Sequence, residues 1–253
     1  MRFRSITVAD MFTLANGLLG FMAITYIIDR NFMLASFLIL IAMVMDGLDG
    51  YFARRLGTER PIGRVLDSIS DSISFCIAPA LLVYGIFYDK ELGAAHFSLQ
   101  NILTIVASAM LAIFGIVRLV RYTRNDYAVE TFLGLPTPAT ALAIILLTYL
   151  FSGKTGSFFY LSYQPYLVLL MCIAMSFIMI SDLPYPKVRG WVQKGTLAGI
   201  ALAAIPAVIA TFDVGWSLFT LRAISVFAFM LTFGYVLGGP LVAWYATKDK
   251  KGV

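Results

Sequence analysis

The chain has 253 residues, of which 60% are hydrophobic and 13% are charged, and its mean hydropathy is +0.86. A soluble domain of this length needs far more polar surface to cover its core, so the composition excludes an ordinary soluble protein and indicates the lipid bilayer. The formal net charge is +5, but the basic residues are spread among apolar blocks and form no tract typical of nucleic-acid binding. No nucleic-acid partner is therefore expected.

Eight apolar runs are candidates to cross a bilayer, for which an α-helix needs about 20 residues. They predict an all-α polytopic membrane protein with short connections. Asp10 and Asn16 interrupt the first run and no small-residue cleavage site closes it, which favours a retained helix over a signal peptide. The predicted helices cover 11–28, 32–52, 65–87, 101–121, 137–153, 165–181, 195–212 and 219–246.

The charges in the loops predict how these helices are oriented. With both termini in the cytoplasm, fifteen of the 19 Lys and Arg residues lie on the inner side, and only Arg30, Lys90, Lys154 and Arg222 lie outside. This is a positive-inside distribution. An even number of helices also returns the chain to the side where it began. We therefore expect a multi-pass protein of the cell membrane with both termini in the cytoplasm.

Four aspartates interrupt the apolar pattern of the second and third predicted helices. At about 1.5 Å per residue from the inner surface, Asp46 and Asp71 lie about 9–10 Å deep, and Asp49 and Asp67 about 4–5 Å deep. The four carboxylates can therefore face one pocket that opens to the cytoplasm. The residues that share one face of each helix are Asp46, Asp49, Gly50 and Ala53 in the second helix and Gly63, Asp67 and Asp71 in the third.

Four carboxylates in a membrane are costly without a cation. Each charge near a helix centre costs about 2.5–3.5 kcal/mol to insert, and like charges in one pocket repel each other. A bound divalent cation relieves both costs, and an all-oxygen ligand set suits Mg²⁺, Mn²⁺ or Ca²⁺. The alternative is a set of cytoplasmic salt bridges with Arg54, Arg55, Arg60 and Arg64, which leaves the one-face spacing unexplained.

The neighbouring residues leave further alternatives open. The small residues Gly50, Ala53 and Gly63 either make room for a flat ligand or allow close helix packing, and Asn16 either faces that ligand or bonds another helix. Carboxylates inside membranes also occur in ion pathways, so a divalent-cation transporter is a different class of function. A transporter needs polar residues that continue to the outer face. The outer halves of the second and third helices, FMLASFLILIA and FCIAPALLVYGIF, are apolar instead.

In chain order the residues around the carboxylates read D-x2-D-G-x2-A-R-x8-G-x3-D-x3-D, from Asp46 to Asp71. This pattern resembles the signature of the CDP-alcohol phosphotransferase family at every fixed position. Three further stretches resemble the phosphatidylserine synthase branch of that family. They are TLANGLLGF (13–21), VRLVRY with FLGLPTP (117–122 and 132–138), and MISDLPYPK (179–187).

The resemblance implies a six-helix catalytic core over residues 1–185 and a two-helix extension over residues 186–253, usually in a homodimer. It also implies two metal ions, Mg²⁺ or Mn²⁺, and a catalytic role for Asp71 as the base for the incoming hydroxyl. By the same resemblance the metal ligands are Asp46, Asp49, Asp67 and Asp71. The CDP-lipid would contact Asp49, Gly50, Ala53, Arg54, Gly63 and Asp67.

The reaction that the resemblance implies is transfer of the phosphatidyl-type group of CDP-diacylglycerol or CDP-archaeol to the hydroxyl of L-serine, with release of CMP. Arg118 and Arg121 lie at i and i+3 and can bind the serine carboxylate, because arginine holds carboxylates in a bidentate manner. They can equally anchor the helix at the membrane surface, or bind the phosphate of a glycerol-phosphate or inositol-phosphate acceptor. Pro136 and Pro138 predict a non-helical start to the fifth helix, and hence a pocket wall there.

Overall fold

The computed structural model describes residues 7–57, 61–89, 98–125, 131–152, 163–186, 227, 230–240 and 242. Within this part of the chain the protein is mostly helical, and four helices are long and apolar enough to cross a membrane. The protein is therefore membrane-embedded. The four helices are α1 (Val8–Ile28), α2 (Phe32–Leu56), the rod Ile62–Phe87, and the apolar part, Leu99–Arg121, of α5 (Leu99–Asn125). Two shorter apolar helices are α6 (Thr137–Phe151) and α7 (Pro165–Ile180).

The third of these rods is not α-helical throughout. It consists of α3 (Pro61–Asp71), a π-helical turn (Ser72–Ile77) and α4 (Ala78–Phe87), which follow one another without a break. The widened turn begins directly after Asp71. The sequence predicts an ordinary helix here, so the π turn is a departure from that prediction. Such turns are rare in proteins, but those that occur often lie at functional sites.

The first six predicted helices are confirmed, with ends that differ by a few residues. α1 begins earlier because Thr7 and Asp10 form a capping box, in which the Thr7 N–H donates to Asp10 Oδ2 at 2.8 Å. α2 ends at Gly57, whose φ of 60° is a left-handed conformation that glycine adopts readily. The helices predicted for 195–212 and 219–246 lie outside the described residues, apart from helical residues 227, 230–240 and 242. A total of eight helices stays a prediction.

A short two-stranded ladder departs from the all-α prediction. β1 (Thr131–Leu133) pairs antiparallel with β2 (Pro184–Pro186). Gly134 follows β1 with a φ of 75°, and its N–H donates to the Leu183 carbonyl oxygen at 2.9 Å. A Cβ at Gly134 would collide with the Met179 carbonyl, so only glycine fits this position. Residues 135–136, which lead into α6, are non-helical, as the prolines predict, and the Leu135 N–H donates to the Ile178 carbonyl oxygen at the end of α7.

The apolar core runs through α2, α4, α6 and α7 of the helix bundle. Ile39 of α2, Leu82 of α4 and Leu147 of α6 are fully buried in it. α1 instead exposes large apolar side chains, of which Met11 and Leu18 are examples. In a membrane-embedded chain such a surface faces lipid or another helix.

Candidate metal centre and substrate site

Two helices bring the predicted carboxylates together. One carboxylate oxygen from each of Asp46, Asp49 and Asp67 lies within 4.8 Å of the other two. The Asp71 carboxyl group interacts electrostatically with Asp46, Asp67 and Asp49. α2 supplies one pair at i and i+3, and α3 supplies the other at i and i+4, so each pair shares a helix face. The four aspartates form one cluster.

Helix α1 adds two neutral donors to this cluster. The Thr13 hydroxyl donates to Asp49 Oδ2 at 2.9 Å, and the Asn16 side-chain amide donates to Asp71 Oδ1 at 2.9 Å. Both residues are buried in a mostly apolar helix. Asn16 therefore makes the helix–helix hydrogen bond that was one of its two alternatives. Thr13 was missed by the sequence reasoning, although a threonine one turn before Asn16 on the same face was a usable signal.

Two glycines let α1 approach the third rod closely. A Cβ at Gly17 would lie 2.9 Å from Ser70 Oγ, and a Cβ at Gly20 would lie 2.7 Å from the Cα of Ser74. Across the same contact the Ser74 hydroxyl donates to the Asn16 carbonyl oxygen at 2.9 Å. Backbone cannot move aside as a side-chain end can, so Gly20 in particular is needed. The contact positions Asn16 beside Asp71.

The small residues beside the carboxylates have different surroundings. A Cβ at Gly50 would first meet the Arg54 guanidinium of the same helix, at 3.3 Å, and a Cβ at Gly63 would meet Asp10 Oδ1 at 3.5 Å. Both neighbours are side-chain ends rather than the backbone of another helix. Ala53 is partly buried on the same face of α2 as Gly50. Among the described residues, close helix packing is therefore found at Gly20 and not at Gly50 or Gly63.

The salt-bridge alternative for the aspartates is not what the described residues form. Within the ranges that the structure describes, none of the four clustered aspartates forms a salt bridge, whereas the Asp182 carboxylate does. Arg54 acts on Asp49 only through longer-range electrostatics. Arg55 lies against Tyr51, with Nη1 2.7 Å from the tyrosine hydroxyl. Arg60 lies outside the described residues.

One buried oxygen atom indicates what completes the cluster. Asp67 Oδ1 is shielded from solvent and has no hydrogen-bond partner in the described part of the chain. The donors from α1, Thr13 and Asn16, are neutral, so they do not compensate the negative charge. A buried carboxylate needs a compensating charge. The oxygen-only ligand set fits a divalent metal ion such as Mg²⁺ or Mn²⁺.

The two arginines predicted for the acceptor site differ in their surroundings. Arg118 is buried, with 7% of its surface exposed, and its Nη1 donates to Thr137 Oγ1 at 3.4 Å. Arg121 is exposed and donates to the Ile180 carbonyl oxygen at 2.6 Å and to Asp182 Oδ1 at 2.7 Å. Arg118 thus faces the interior of the bundle, whereas Arg121 ties α5 to the end of α7.

Cys76, in the π turn, connects the carboxylate cluster with Arg118. Its thiol lies within electrostatic range of both Asp71 and Arg118. A Cβ at Gly115 of α5 would lie 2.7 Å from Cys76 Sγ, so the two helices touch at this point. Gly115 and Arg118 are three residues apart on the same face of α5. The close approach at Gly115 therefore places Arg118 beside the rod that carries Asp71.

Comparisons with known proteins agree with this geometry. Residues 6–180 match the family model described as CDP-alcohol phosphatidyltransferase. The chain is 33% identical to the archaetidylserine synthase of Methanothermobacter thermautotrophicus, over 73% of this chain and 72% of the relative. It is 34% identical to the CDP-diacylglycerol–serine O-phosphatidyltransferase of Methanocaldococcus jannaschii, over 72% of this chain and 75% of the relative. A protein of the same name from Bacillus subtilis is 27% identical, over 71% of this chain and 89% of the relative.

Proposed function

The chain belongs to the CDP-alcohol phosphatidyltransferase family, and we propose that it transfers the phosphatidyl-type group of a CDP-lipid to the hydroxyl of L-serine, releasing CMP. The names of the relatives support serine as the acceptor and either CDP-diacylglycerol or CDP-archaeol as the donor. The observation that supports the reaction is the cluster of Asp46, Asp49 and Asp67, with which Asp71 interacts electrostatically.

In this proposal the four aspartates hold two divalent ions, Mg²⁺ or Mn²⁺. The metal supplies neutralisation of the negative charge on the diphosphate and on the departing CMP. Asp71 takes the proton of the serine hydroxyl as a general base. The Asn16 amide fixes Asp71 Oδ1 and so orients that carboxylate. We favour direct attack by serine over a covalent aspartyl intermediate, because the aspartates already serve as metal ligands.

The donor side of the site is the face of small residues next to the aspartates. Gly50, Ala53 and Gly63 leave space for the cytidine, since only side-chain ends lie near the two glycines. Arg54 extends over Gly50 and interacts with Asp49, which puts its positive charge next to the place of the diphosphate. Asp49 and Asp67 would hold the metal on the side of the site that faces the donor. A positive charge beside the diphosphate strengthens binding of the CDP-lipid and also stabilises the negative charge that develops on the departing CMP.

On the acceptor side, Arg118 binds the serine carboxylate. It is buried and lies near the rod that carries Asp71, so the serine hydroxyl and carboxylate can be held at the two ends of one site. Arg121 is the second arginine predicted for this site. Because its guanidinium is engaged by Asp182 and the Ile180 carbonyl, its contribution in our proposal is to hold the end of α7 in place.

We further propose a catalytic core over residues 1–185, an extension over residues 186–253, and a homodimer. Both termini and the active site face the cytoplasm, as the positive-inside distribution of the loops favours. This orientation also gives the site direct access to serine in the cytoplasm. A cysteine-accessibility assay with single cysteines near each terminus, in sealed vesicles, tests the orientation.

The first test of the function is CMP release by the purified protein with CDP-diacylglycerol and Mn²⁺ or Mg²⁺. The acceptors to compare are L-serine, glycerol 3-phosphate, inositol phosphate and none, with Asp71→Asn beside the wild type. Metal-dependent release that requires serine and is lost in Asp71→Asn is the expected result. Release that requires a phosphorylated acceptor would overturn the serine assignment. Absence of release with both CDP-diacylglycerol and CDP-archaeol would overturn the transferase itself.

A further inference from the structure

The C-terminal helical segment, residues 230–240, packs against the β1–β2 ladder at Tyr185. Tyr185 of β2 is fully buried, and its hydroxyl donates to the Val236 carbonyl oxygen at 2.9 Å. The rings of Tyr185 and Tyr235 have centroids 5.8 Å apart. This segment lies beyond residues 6–180, which the family model matches. It is nevertheless fixed next to the acceptor side of the site.

The hydroxyl of Tyr235 stands out in this contact. Its oxygen is shielded from solvent and has no hydrogen-bond partner in the described part of the chain. The neighbouring Tyr185 has its hydroxyl bonded to the helix backbone. Buried polar groups in native proteins are nearly always paired, so an unpaired one needs a ligand, a water molecule or a functional role to explain it.

The charged group that acts on this hydroxyl is the guanidinium of Arg118. The two side chains lie within electrostatic range of each other. Arg118 is also within range of Cys76, which in turn lies within range of Asp71. Thr137 accepts a hydrogen bond from Arg118 and so fixes the guanidinium from the side of α6. Arg118 therefore connects the carboxylate cluster with Tyr235.

We infer that Tyr235 is a further acceptor-binding residue, whose hydroxyl joins the Arg118 guanidinium in binding the carboxylate of the amino-acid acceptor. The inference rests on the proposed function. Both groups donate hydrogen bonds, and a carboxylate has two accepting oxygens, so each donor can take one of them. The C-terminal segment is then part of the specificity site, and it favours acceptors that carry a carboxylate.

The test is Tyr235→Phe in the full-length, metal-loaded protein, because this change removes only the hydroxyl. The KM for L-serine is expected to rise about 10-fold to 100-fold, as for loss of a hydrogen bond to a charged group. The KM for CDP-diacylglycerol and the thermal unfolding temperature are expected to stay at wild-type values, since among the described residues this hydroxyl has no hydrogen-bond partner to lose. Stabilisation of the protein by L-serine against heat should need correspondingly more serine.

Two matched substitutions separate binding from structure. Tyr185→Phe removes the hydroxyl that is bonded to Val236, and it is expected to lower the unfolding temperature without a selective rise in the KM for serine. Tyr166→Phe removes an exposed hydroxyl on α7, and it is expected to behave as the wild type. All three variants lose one oxygen atom from a tyrosine, so differences among them report position rather than chemistry.

Either of two results from Tyr235→Phe overturns the inference. One is a wild-type KM for serine together with wild-type stabilisation by serine. The other is a loss that falls equally on both substrates or that lowers the unfolding temperature as Tyr185→Phe does. A wild-type protein that requires a phosphorylated acceptor is a separate outcome, since it overturns the serine function itself and the carboxylate role of Tyr235 with it. Serine-dependent release in the wild type keeps the two failures distinguishable.

Discussion

The two ends of the site compensate charge in opposite ways. At the aspartate end, the carboxylates of α2 and α3 receive hydrogen bonds from the neutral side chains of Thr13 and Asn16. At the arginine end, the protein itself supplies acceptors, with Thr137 for Arg118 and Asp182 for Arg121. The first end therefore depends on an added cation, whereas at the second end a carboxylate of the protein pairs with Arg121. Metal dependence and acceptor specificity should be separable by mutation.

Removal of the metal should have the largest effect and should be confined to the aspartate end. Chelation with EDTA is expected to abolish CMP release, and Mn²⁺ or Mg²⁺ should restore it. In the wild type, Mn²⁺ at 100 times its Kd should stabilise the fold by about 2.7 kcal/mol. Asp67→Asn should lose most of this thermal stabilisation, because the substitution replaces the charged carboxylate, with its unpaired Oδ1, by a neutral amide. Equal stabilisation of the variant and the wild type by Mn²⁺ would contradict the metal assignment.

Asp71→Asn should lower kcat by about 10²-fold to 10⁴-fold, the contribution usual for a general base. The amide keeps the shape of the side chain and can still pair with Asn16, so the fold should persist. Steady-state CMP release measures the effect, and Asp29→Asn at the exposed end of α1 is the matched control. Near-wild-type turnover in Asp71→Asn would assign the base to another group.

Arg118→Lys and Arg121→Lys compare the two arginines directly. Arg118→Lys should raise the KM for serine about 10-fold to 100-fold, because lysine cannot reproduce a bidentate contact with a carboxylate. Arg121→Lys should change it much less, since an exposed pair such as that with Asp182 contributes about 0–1 kcal/mol. Serine titrations at saturating CDP-lipid measure both. Equal effects of the two substitutions would mean that Arg121 also contacts the acceptor.

The smallest effects on activity, and the clearest contrast in stability, are expected from two glycines. Gly20→Ala should destabilise the fold by about 1–3 kcal/mol or more, because its methyl group meets the Ser74 backbone. Gly63→Ala should keep the unfolding temperature and instead raise the KM for the CDP-lipid several-fold. Thermal unfolding and donor titrations on the same preparations measure the two changes. If Gly63→Ala unfolds as readily as Gly20→Ala, Gly63 is a packing residue.

The sequence predicted those parts of the structure that depend on neighbours along the chain. Hydropathy located six helices, and the spacing of the aspartates placed Asp46 and Asp49 on one face and Asp67 and Asp71 on another. What it missed depends on contacts between distant segments. The β1–β2 ladder joins residues some fifty positions apart in the sequence. The hydrogen bond from Thr13 to Asp49 joins α1 to α2.

The different surroundings of Arg118 and Arg121 follow from the same cause. At i and i+3 the two residues are equivalent by helical periodicity, so the sequence pattern treats them alike. Thr137 and Asp182, which distinguish them, come from α6 and from the chain after α7. The π turn was equally beyond prediction, because the letters SISFCI are compatible with an ordinary helix.

The π turn at Ser72–Ile77 changes the phase of the rod that contains it. A π turn holds one residue more than an α turn, so every later residue is rotated by about 100° from its place in an unbroken α-helix. With this rotation Gly85 faces α2, where its Cβ position is 2.9 Å from the Phe32 ring. Without this rotation, a residue larger than glycine would face the Phe32 ring. Asp67 and Asp71 precede the π turn, so their orientation would not change. The orientations of α3 and α4 about the rod axis are therefore independent of each other. The packing of α4 can change in evolution without turning Asp67 and Asp71 away from the metal site.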